Sequence, residues 1–166
     1  MRILITPRLT GLPAGRDDYS FLRSLHGDRR VAATLSADGR VPAATTQRFL
    51  RRMLREAGPG AGLWIFRQEG RPVGYCGLRR VVIGGAAETE LLYAAAADDW
   101  NRGLATEMAR AVLEAGFTEA GLGDMVAFTL PLNRASRRIM EKCGFAFERD
   151  FIHAGLPHVL YRLRRR

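Results

Sequence analysis

Residues 100–106, with the sequence Trp-Asn-Arg-Gly-Leu-Ala-Thr, join a predicted strand to the start of a predicted helix. Gly103 and Ala105 carry little or no side chain, so a ligand can approach the backbone closely there. The first amides of a helix have no internal partner and point outward with partial positive charge. Arg102 could add a charge-assisted hydrogen bond to an anion bound at these amides. The segment is therefore a candidate site for a pyrophosphate group.

The cysteines and histidines do not follow the spacing of a known metal site. Cys76 and Cys143 each lie among apolar residues, which predicts buried, unreactive thiols. Neither has a second cysteine or histidine at metal-ligand spacing, so the sequence predicts no metal site. His153 and His158 flank a predicted turn near the C-terminus, where they could line a substrate site or face solvent.

The elements that would position the candidate loop follow from the period of the apolar residues and from glycine and proline. Helices are predicted at residues 17–25, 45–57, 104–116 and 133–143, the last ending at Gly144. Strands are predicted at residues 63–67, 71–78, 89–94 and 125–130, with one strand at the N-terminus and two between residues 145 and 163. The order predicts a mixed α/β domain with strand–helix–strand units only in its second half.

Composition limits the classes of protein that this chain can represent. The 166 residues and the 47% hydrophobic content predict one globular domain over residues 1–166. No apolar run approaches the length of a membrane span, and the N-terminus lacks a signal-peptide pattern, so we expect a cytoplasmic protein that does not bind membranes. The net charge of +9 permits nucleic-acid binding, but no recognition motif accompanies it.

Three stretches occur in an order and at distances that resemble the GNAT superfamily of N-acetyltransferases. They are residues 90–93 (Glu-Leu-Leu-Tyr), residues 99–107 around the candidate loop, and residues 133–145, which begin Asn-x-x-Ser and end Glu-Lys-Cys-Gly-Phe. The opening Thr-Pro-Arg-Leu at residues 6–9 fits the same pattern. More narrowly, the stretches resemble the branch that acetylates the N-termini of ribosomal proteins, and the resemblance covers essentially the whole chain.

The resemblance implies an α/β (α+β) fold with a mixed, mainly antiparallel twisted sheet flanked by helices, in which two central strands splay apart. It implies acetyl-coenzyme A as co-substrate and no metal. The strand ending near Tyr93 would carry a bulge, and the cofactor arm would lie between this strand and the strand at residues 125–130. The residues then expected to contact the cofactor are Leu92, Tyr93, Ala94, Trp100, Asn101, Arg102, Gly103, Leu104, Ala105, Thr106, Asn133 and Ser136.

Two residues are candidates for proton transfer. Glu90 resembles the strand glutamate of the branch and could act as the general base, directly or through a water; the alternative is an exposed strand carboxylate in an ion pair. Ser136 would border the sulfur and could donate a hydrogen bond to the departing thiolate, or it could merely satisfy the backbone of the first helical turn. Asn133 could bond the cofactor arm, cap the helix, or do both.

The chain departs from the superfamily pattern at one position that affects the mechanism. Many members carry a tyrosine seven residues after the asparagine, as proton donor to the thiolate, whereas this chain has Met140. The acceptor is predicted to be a primary amine, of a protein N-terminus or of a small molecule, attacked in a ternary complex. A non-catalytic acyl-coenzyme A-binding or interaction protein of the same fold is the alternative. A homodimer is possible, and nucleic acid is not an expected partner.

Overall fold

The structure is a computed structural model that describes residues 1–165 of the 166-residue chain. Within these residues eight strands are present: β1 (Leu4–Ile5), β2 (Thr10–Pro13), β3 (Gly62–Gln68), β4 (Arg71–Ile83), β5 (Ala86–Ala95), β6 (Asp124–Thr129), β7 (Ala146–His153) and β8 (Leu156–Arg164). The same residues contain five α-helices: α1 (Tyr19–Gly27), α2 (Arg29–Leu35), α3 (Ala43–Arg55), α4 (Leu104–Thr118) and α5 (Arg134–Lys142).

All described strands belong to one sheet with the order β1-β2-β3-β4-β5-β6-β8-β7. Every neighbouring pair is antiparallel except β5 and β6, which run parallel. A parallel pair needs a crossover connection, and α4 provides it. The predicted fold class, a mixed and mainly antiparallel sheet flanked by helices, is confirmed.

Helices cover both faces of the sheet. On one face, Met108 of α4 and Met140 of α5 are buried in the largest apolar cluster. On the other face, Leu22 of α1, Val31 of α2 and Met53 of α3 form a second cluster against β3, β4 and β5. Because successive side chains of a strand point to opposite faces, neighbouring residues of β5 point alternately toward α4 and toward α1–α3.

Several predicted elements agree with the structure, and others do not. The predicted helix at residues 133–143 is α5, and Gly144 has the left-handed φ of 92° expected of the residue that ends it. Helix α2 was not predicted, because its seven residues bury only Val31 and Ala32 and so show no helical period. Strand β4 continues to Ile83, five residues beyond the predicted end at Leu78.

None of the helices within residues 1–165 is both long enough and apolar enough to cross a bilayer.

Candidate active site

A gap opens between β5 and β6 toward the C-terminal end of β5. The two strands share one ladder pair, Glu90 with Val126. Strand β5 nevertheless continues to Ala95 and β6 continues to Thr129, without further pairing between them. The splay of the central strands that the resemblance implied is confirmed.

Backbone groups of two β5 residues face this gap. Ala96 donates its N–H to the carbonyl oxygen of Val73 at 2.8 Å, which fixes the hydrogen-bonded pairs of the β4–β5 ladder. Since hydrogen-bonded and non-hydrogen-bonded pairs alternate along antiparallel strands, Tyr93 and Ala95 direct their N–H and C=O groups away from β4. A ligand in the gap could therefore form hydrogen bonds with the N–H and C=O of Tyr93 and with the N–H of Ala95.

The bulge expected in β5 is absent, and that expectation was wrong. All ten residues of β5 pair with β4 in unbroken register, from Ile83 with Ala86 to Gly74 with Ala95. Leu92 and Ala94 therefore use their backbone groups in the β4–β5 ladder and direct their side chains toward α1–α3. Any contact that these two residues make with a ligand in the gap would come from side chains.

The candidate loop ends at the N-terminus of α4. Asn101 has φ 61° and Gly103 has φ 77°, so both residues adopt the left-handed conformation that the loop requires. No side chain caps the helix at Gly103, and the first intrahelical hydrogen bond runs from Glu107 N–H to the Gly103 carbonyl at 3.1 Å. The amides of residues 104–106 consequently have no acceptor inside the helix, which is the geometry of an anion-binding helix terminus.

Side chains of the loop residues take different positions. Leu104 is buried in the core, so only its amide is available to a ligand. Ala105 and Thr106 are half-buried on the first turn of α4, and the Thr106 carbonyl accepts a weak hydrogen bond from the Cys143 thiol at 3.9 Å. The contribution of residues 104–106 to an anion site is therefore mainly that of their backbone.

Two polar side chains of the loop are engaged with the protein itself. Trp100 donates its indole N–H to the Ala95 carbonyl at 2.9 Å, at the mouth of the gap. Arg102 donates to Asp99 Oδ1 at 2.5 Å and to Gln68 Oε1 at 2.9 Å. A contact between Arg102 and a phosphate would thus use the guanidinium N–H groups that these bonds leave free.

Asp99 is the anchor of the loop, a role that the sequence analysis did not predict. Its side chain is buried, and Arg71 donates to its two carboxylate oxygens, each at 2.8 Å. The hydrogen bonds from Arg71 hold the pKa of Asp99 below its ordinary value. The ionised carboxylate therefore ties the loop to β4 through Arg71 and orients Arg102.

Arg8, near the N-terminus, also contacts the candidate loop, and this contact was not predicted. It donates to the Arg102 carbonyl at 2.8 Å and to Glu107 at 2.7 Å. Its guanidinium lies 3.5 Å from the position that a Cβ on Gly103 would occupy. The Thr-Pro-Arg-Leu motif carried a signal for this residue, but only the fold shows that Arg8 is a cation beside the N-terminus of α4.

The start of α5 approaches Tyr93 of β5. Asn133 caps this helix by accepting the Ser136 N–H at 3.1 Å, so the predicted capping role is confirmed. Tyr93 donates its hydroxyl to the Ser136 carbonyl at 3.1 Å, and the two hydroxyl oxygens lie 3.0 Å apart. Burial raises the pKa of Tyr93, so its hydroxyl stays protonated and available as a donor.

Glu90 forms a buried ion pair. Its side chain is 5% exposed, and Arg79 donates to it from Nε at 2.6 Å and from Nη2 at 3.1 Å. Burial raises the pKa of Glu90, although Arg79 opposes this shift. The ion pair predicted as the alternative for Glu90 is therefore present, but the predicted exposure of the carboxylate was wrong. A role as general base would require one oxygen to leave Arg79.

Met140 and the cysteines are parts of the core. Met140 is 1% exposed and contributes to the cluster beneath α4, so no acid group stands at this position. Cys76 and Cys143 are free thiols; burial raises the pKa of Cys143 to about 11 and that of Cys76 well above its ordinary value. Neither thiol has the low pKa of a nucleophile.

Aromatic rings line the β6 side of the α1–α3 face. The ring centre of Phe128, in β6, lies 4.7 Å from the ring centre of His153 and 5.5 Å from that of His158. Phe151 belongs to the same aromatic cluster, with its ring centre 5.4 Å from that of Phe128. Burial, followed by the nearby charges of His158 and Arg79, lowers the pKa of His153. This cluster is a candidate wall for an acceptor.

Among residues 1–165, no three histidine, cysteine, aspartate or glutamate side chains lie close enough together to hold a metal ion.

His26 is buried on the α1–α3 face and uses both ring nitrogens. Nδ1 lies 3.0 Å from the Thr46 hydroxyl, and Nε2 lies 3.2 Å from the Tyr75 hydroxyl. Burial, aided by the charge of Arg23, lowers the pKa of His26 to about 4. The imidazole is consequently neutral in the folded protein at neutral pH.

We expect His26 to make the protein acid-sensitive. The unfolded chain binds a proton at His26 below pH 6.5, whereas the folded protein does so only near pH 4. Stability should therefore fall as the pH drops from 6.5 to 4, by about 3 kcal/mol in the free energy of unfolding. Urea denaturation at several pH values would show that the free energy of unfolding depends less steeply on pH in His26→Gln, while His158→Gln, which changes a half-buried histidine of β8, should keep the wild-type dependence. An equal dependence on pH in all three proteins would contradict this expectation.

The family of the chain follows from its sequence. Residues 8–146 match the Acetyltransferase (GNAT) domain family. This match covers more than half of the chain and includes the gap, the candidate loop, α4 and the start of α5. The chain belongs to the GNAT acetyltransferase family, as the resemblance of its motifs predicted.

Two curated relatives are similar in sequence. The uncharacterized protein YkkB of Bacillus subtilis is 35% identical over 108 residues, which are 64% of this chain and 63% of YkkB. The FsC-acetyl coenzyme A-N(2)-transacetylase of Aspergillus fumigatus is 29% identical over 160 residues, which are 90% of this chain and 67% of the fungal protein. The chain thus spans about two thirds of the length of these relatives.

Solved structures share the fold. An acetyltransferase from Agrobacterium tumefaciens superimposes with a TM-score of 0.86 at 22% identity, over 99% of this chain and 95% of that one. The ribosomal alpha-N-protein acetyltransferase RimL in complex with coenzyme A gives 0.78 at 13% identity, over 98% of each chain. AAC(6')-Ib in complex with ribostamycin and coenzyme A gives 0.79 at 19% identity, over 95% of this chain and 94% of that one.

Proposed function

We propose that the protein transfers an acetyl group from acetyl-coenzyme A to a primary amine, by direct attack in a ternary complex. The observation that carries the proposal is the continuity of two features: the gap beyond Glu90 and the uncapped N-terminus of α4 are joined by the loop that Asp99 anchors. A long ligand with a pyrophosphate at one end fits this arrangement. Coenzyme A complexes of proteins with the same fold support it.

The residues proposed to hold the cofactor divide by the part they would bind. The amides of Leu104, Ala105 and Thr106 would bind the pyrophosphate, assisted by the cations of Arg102 and Arg8. The backbone groups of Tyr93 would bind the extended arm in the gap, as in the addition of a strand to a sheet edge. The thioester supplies an activated acetyl group at the far end of this arm.

The chemical step needs stabilisation of the charge that develops on the thioester oxygen. The N–H groups of Tyr93 and Ala95 face the gap, and each is fixed in place by the β4–β5 ladder. Preorganised amide donors of this kind contribute about 3–4 kcal/mol in enzymes where they have been removed. We propose that one of these two amides has this role.

Glu90 is proposed to receive the proton of the attacking amine. Its side chain points to the α1–α3 face, on the same side of β5 as Leu92 and Ala94. Burial raises the pKa of Glu90, which increases its strength as a base, and the charge of Arg79 opposes this shift by favouring the ionised form. An α-amine has a pKa of about 7.7–8.0 and needs only a weak base, whereas a lysine amine, near 10.4, needs a stronger one.

The leaving thiolate is proposed to be stabilised by Ser136. As the new C–N bond forms and the C–S bond breaks, one proton leaves the amine and one is taken up by the sulfur. Ser136 can donate its hydroxyl to the sulfur if Tyr93 turns its own proton from the Ser136 carbonyl to the Ser136 hydroxyl. Tyr93 thereby positions Ser136 and offsets the absence of an acid at Met140.

Removal of either hydroxyl should lower kcat. We expect Ser136→Ala and Tyr93→Phe each to reduce kcat by about tenfold to a hundredfold, because each removes a donor to a developing charge, while KM for acetyl-coenzyme A changes little. The double variant should be no slower than the slower single variant, since both act on one hydrogen bond. Steady-state kinetics would check this, with Thr118→Val, which lacks a hydroxyl at the far end of α4, as control. Fully additive effects would contradict the coupling.

The acceptor is proposed to lie between α1–α3 and the aromatic cluster of Phe128, Phe151, His153 and His158. Both groups face the Glu90 side of the sheet. Similar folds serve different amines, as the names of RimL and AAC(6')-Ib state for those proteins. Fold similarity therefore does not choose between a peptide N-terminus and a small molecule.

Two measurements test the proposed function. Titration with acetyl-coenzyme A by calorimetry should show saturable binding at one site per chain. Release of free thiol should then be followed with peptides, aminoglycosides, polyamines and amino acids. Saturable binding with no amine-dependent thiol release would favour the non-catalytic alternative, and lack of binding would refute both.

A further inference from the structure

A cavity of about 670 Å³ lies on the α1–α3 face, apart from the β5–β6 gap. The end of α1, the start of α2 and the loop from α2 to α3 form its walls. None of its lining residues belongs to the cofactor-binding set proposed above. The cavity is therefore a separate candidate site on the acceptor side of the sheet.

Positive charge dominates the lining. Three arginines contribute to it, Arg23, Arg29 and Arg40, against one carboxylate, Asp38. Asp38 accepts hydrogen bonds from the Arg40 backbone N–H and from the Ser36 hydroxyl, both at 3.1 Å, and so stays ionised. The lining has a net charge of about +2 at neutral pH.

The three guanidiniums differ in what they already bind. Arg23 donates to the Val41 carbonyl at 2.6 Å and to the Thr46 hydroxyl at 3.1 Å, which holds it in place. Arg29 and Arg40 are exposed, and their side chains form no ion pair within residues 1–165. Two arginines with free donors beside a fixed third one suit a carboxylate or a phosphate, which accept paired N–H groups.

One lining residue of the cavity, His26, packs toward the sheet near the end of β5. His26 lines the cavity, and its ring contacts Tyr75, with 5.7 Å between the ring centres. Tyr75 lies opposite Ala94 across the β4–β5 ladder. The cavity therefore lies within the width of the His26 and Tyr75 rings of Ala94, near the end of β5 where the acetyl group would be presented.

We propose that this cavity binds the carboxylate or phosphate group of an anionic amine acceptor. The proposal rests on the acetyl transfer proposed above, and it narrows the acceptor class to amines that carry a negative charge at a distance from the nitrogen. A polycationic amine, such as an aminoglycoside, is disfavoured by the same arginines because like charges repel.

Binding of a simple anion tests the cavity without any turnover. Inorganic phosphate would be titrated by NMR chemical-shift changes at constant ionic strength, in the presence of saturating coenzyme A so that the α4 terminus is not the site observed. We expect the double variant Arg29→Gln/Arg40→Gln to weaken phosphate binding by about tenfold or more. Arg51→Gln, which removes an exposed arginine of α3 outside the cavity, should leave binding unchanged.

Turnover then tests whether the anion belongs to the acceptor. A series of ω-amino acids of increasing length would be compared with ω-amino alcohols of the same length, which lack the charge. We expect the wild-type kcat/KM to favour the amino acid by about tenfold at the length that spans the two sites, and we expect Arg29→Gln/Arg40→Gln to reduce that ratio to about one.

The outcomes separate this proposal from the proposed function. Phosphate binding that is equal in all variants, or a ratio near one at every length in the wild type, would overturn the anionic-acceptor proposal. Phosphate binding confined to the cavity with a ratio near one would show that a separate anion occupies it, which also overturns the acceptor assignment. A failure of acetyl transfer itself would appear as absent thiol release while the phosphate titration remains readable.

Discussion

Replacing Gly103 with glutamate is expected to abolish detectable binding of acetyl-coenzyme A. The new carboxylate would stand where the amides of residues 104–106 and Arg8 present positive charge, and it would repel the pyrophosphate. Two like charges about 4 Å apart repel by about 4 kcal/mol at an effective dielectric of 20, which corresponds to about a thousandfold in Kd. Isothermal titration calorimetry would measure this loss.

Backbone strain must be separated from charge in this experiment. Gly103 has φ 77°, so any side chain there is strained, although a Cβ would meet Arg8 only at the ordinary distance of 3.5 Å. Gly85 is a matched control: it has φ 84°, its Cβ position is open, and it lies in the turn at the opposite end of β5. Gly85→Glu should keep wild-type affinity. Normal binding by Gly103→Glu would refute the assignment of the loop to the pyrophosphate.

Replacing Glu90 with glutamine is expected to lower kcat by about a hundredfold, the lower range for loss of a general base. Glutamine keeps the size of the side chain and one oxygen that can accept from Arg79, so binding of acetyl-coenzyme A should be nearly unchanged. The acidic limb of the kcat profile, which reports protonation of the base in the enzyme–substrate complex, should disappear. Initial rates measured across a pH series would check both effects.

Glu88 supplies a matched control for Glu90. It lies two residues earlier on the same face of β5 and is also paired with an arginine, since Arg162 donates to its two oxygens at 3.0 and 2.8 Å. Glu88→Gln should lower the melting temperature without lowering kcat. If Glu90→Gln behaves in the same way, Glu90 is structural and the base lies elsewhere.

Substitution of Arg79 gives an independent test of whether Glu90 is the general base. Its positive charge favours the ionised form of Glu90, so Arg79→Gln should move the acidic limb of the kcat profile to higher pH. An unmoved limb would exclude Glu90 as the group that it reports.

Local signals in the sequence predicted much of the fold and of the site. The candidate loop, the start of α4 at Leu104, the Asn133 cap of α5 and the left-handed Gly144 all depend on residues within one helical turn of each other, and each is present. The sequence predicts such features because helix caps and left-handed glycines depend on residues only three or four positions apart in the chain. Helix α2 was missed because seven residues are too few to show a period.

Contacts between distant residues decided the rest of the candidate site. Arg102, which is expected to contact a phosphate, also pairs with a buried Asp99, whose other partner, Arg71, lies 28 residues earlier in the chain. Arg8 reaches the loop across 94 residues. The expected bulge in β5 is absent: its ten residues pair with β4 in regular register, and the Tyr93 and Ala95 peptides face the gap beyond the single ladder pair with β6.

The sequence by itself therefore determined the family, the order of the elements and the position of the loop, since motifs, periodicity and caps are properties of neighbouring residues. Only the tertiary structure decided which charges are paired and which are free. It shows that Glu90 pairs with Arg79, that the hydroxyl of Tyr93 contacts that of Ser136, and that three arginines line one cavity. The physical reason is that an ion pair or a hydroxyl contact depends on distance in space, which sheet order and helix packing set and which spacing along the chain does not encode.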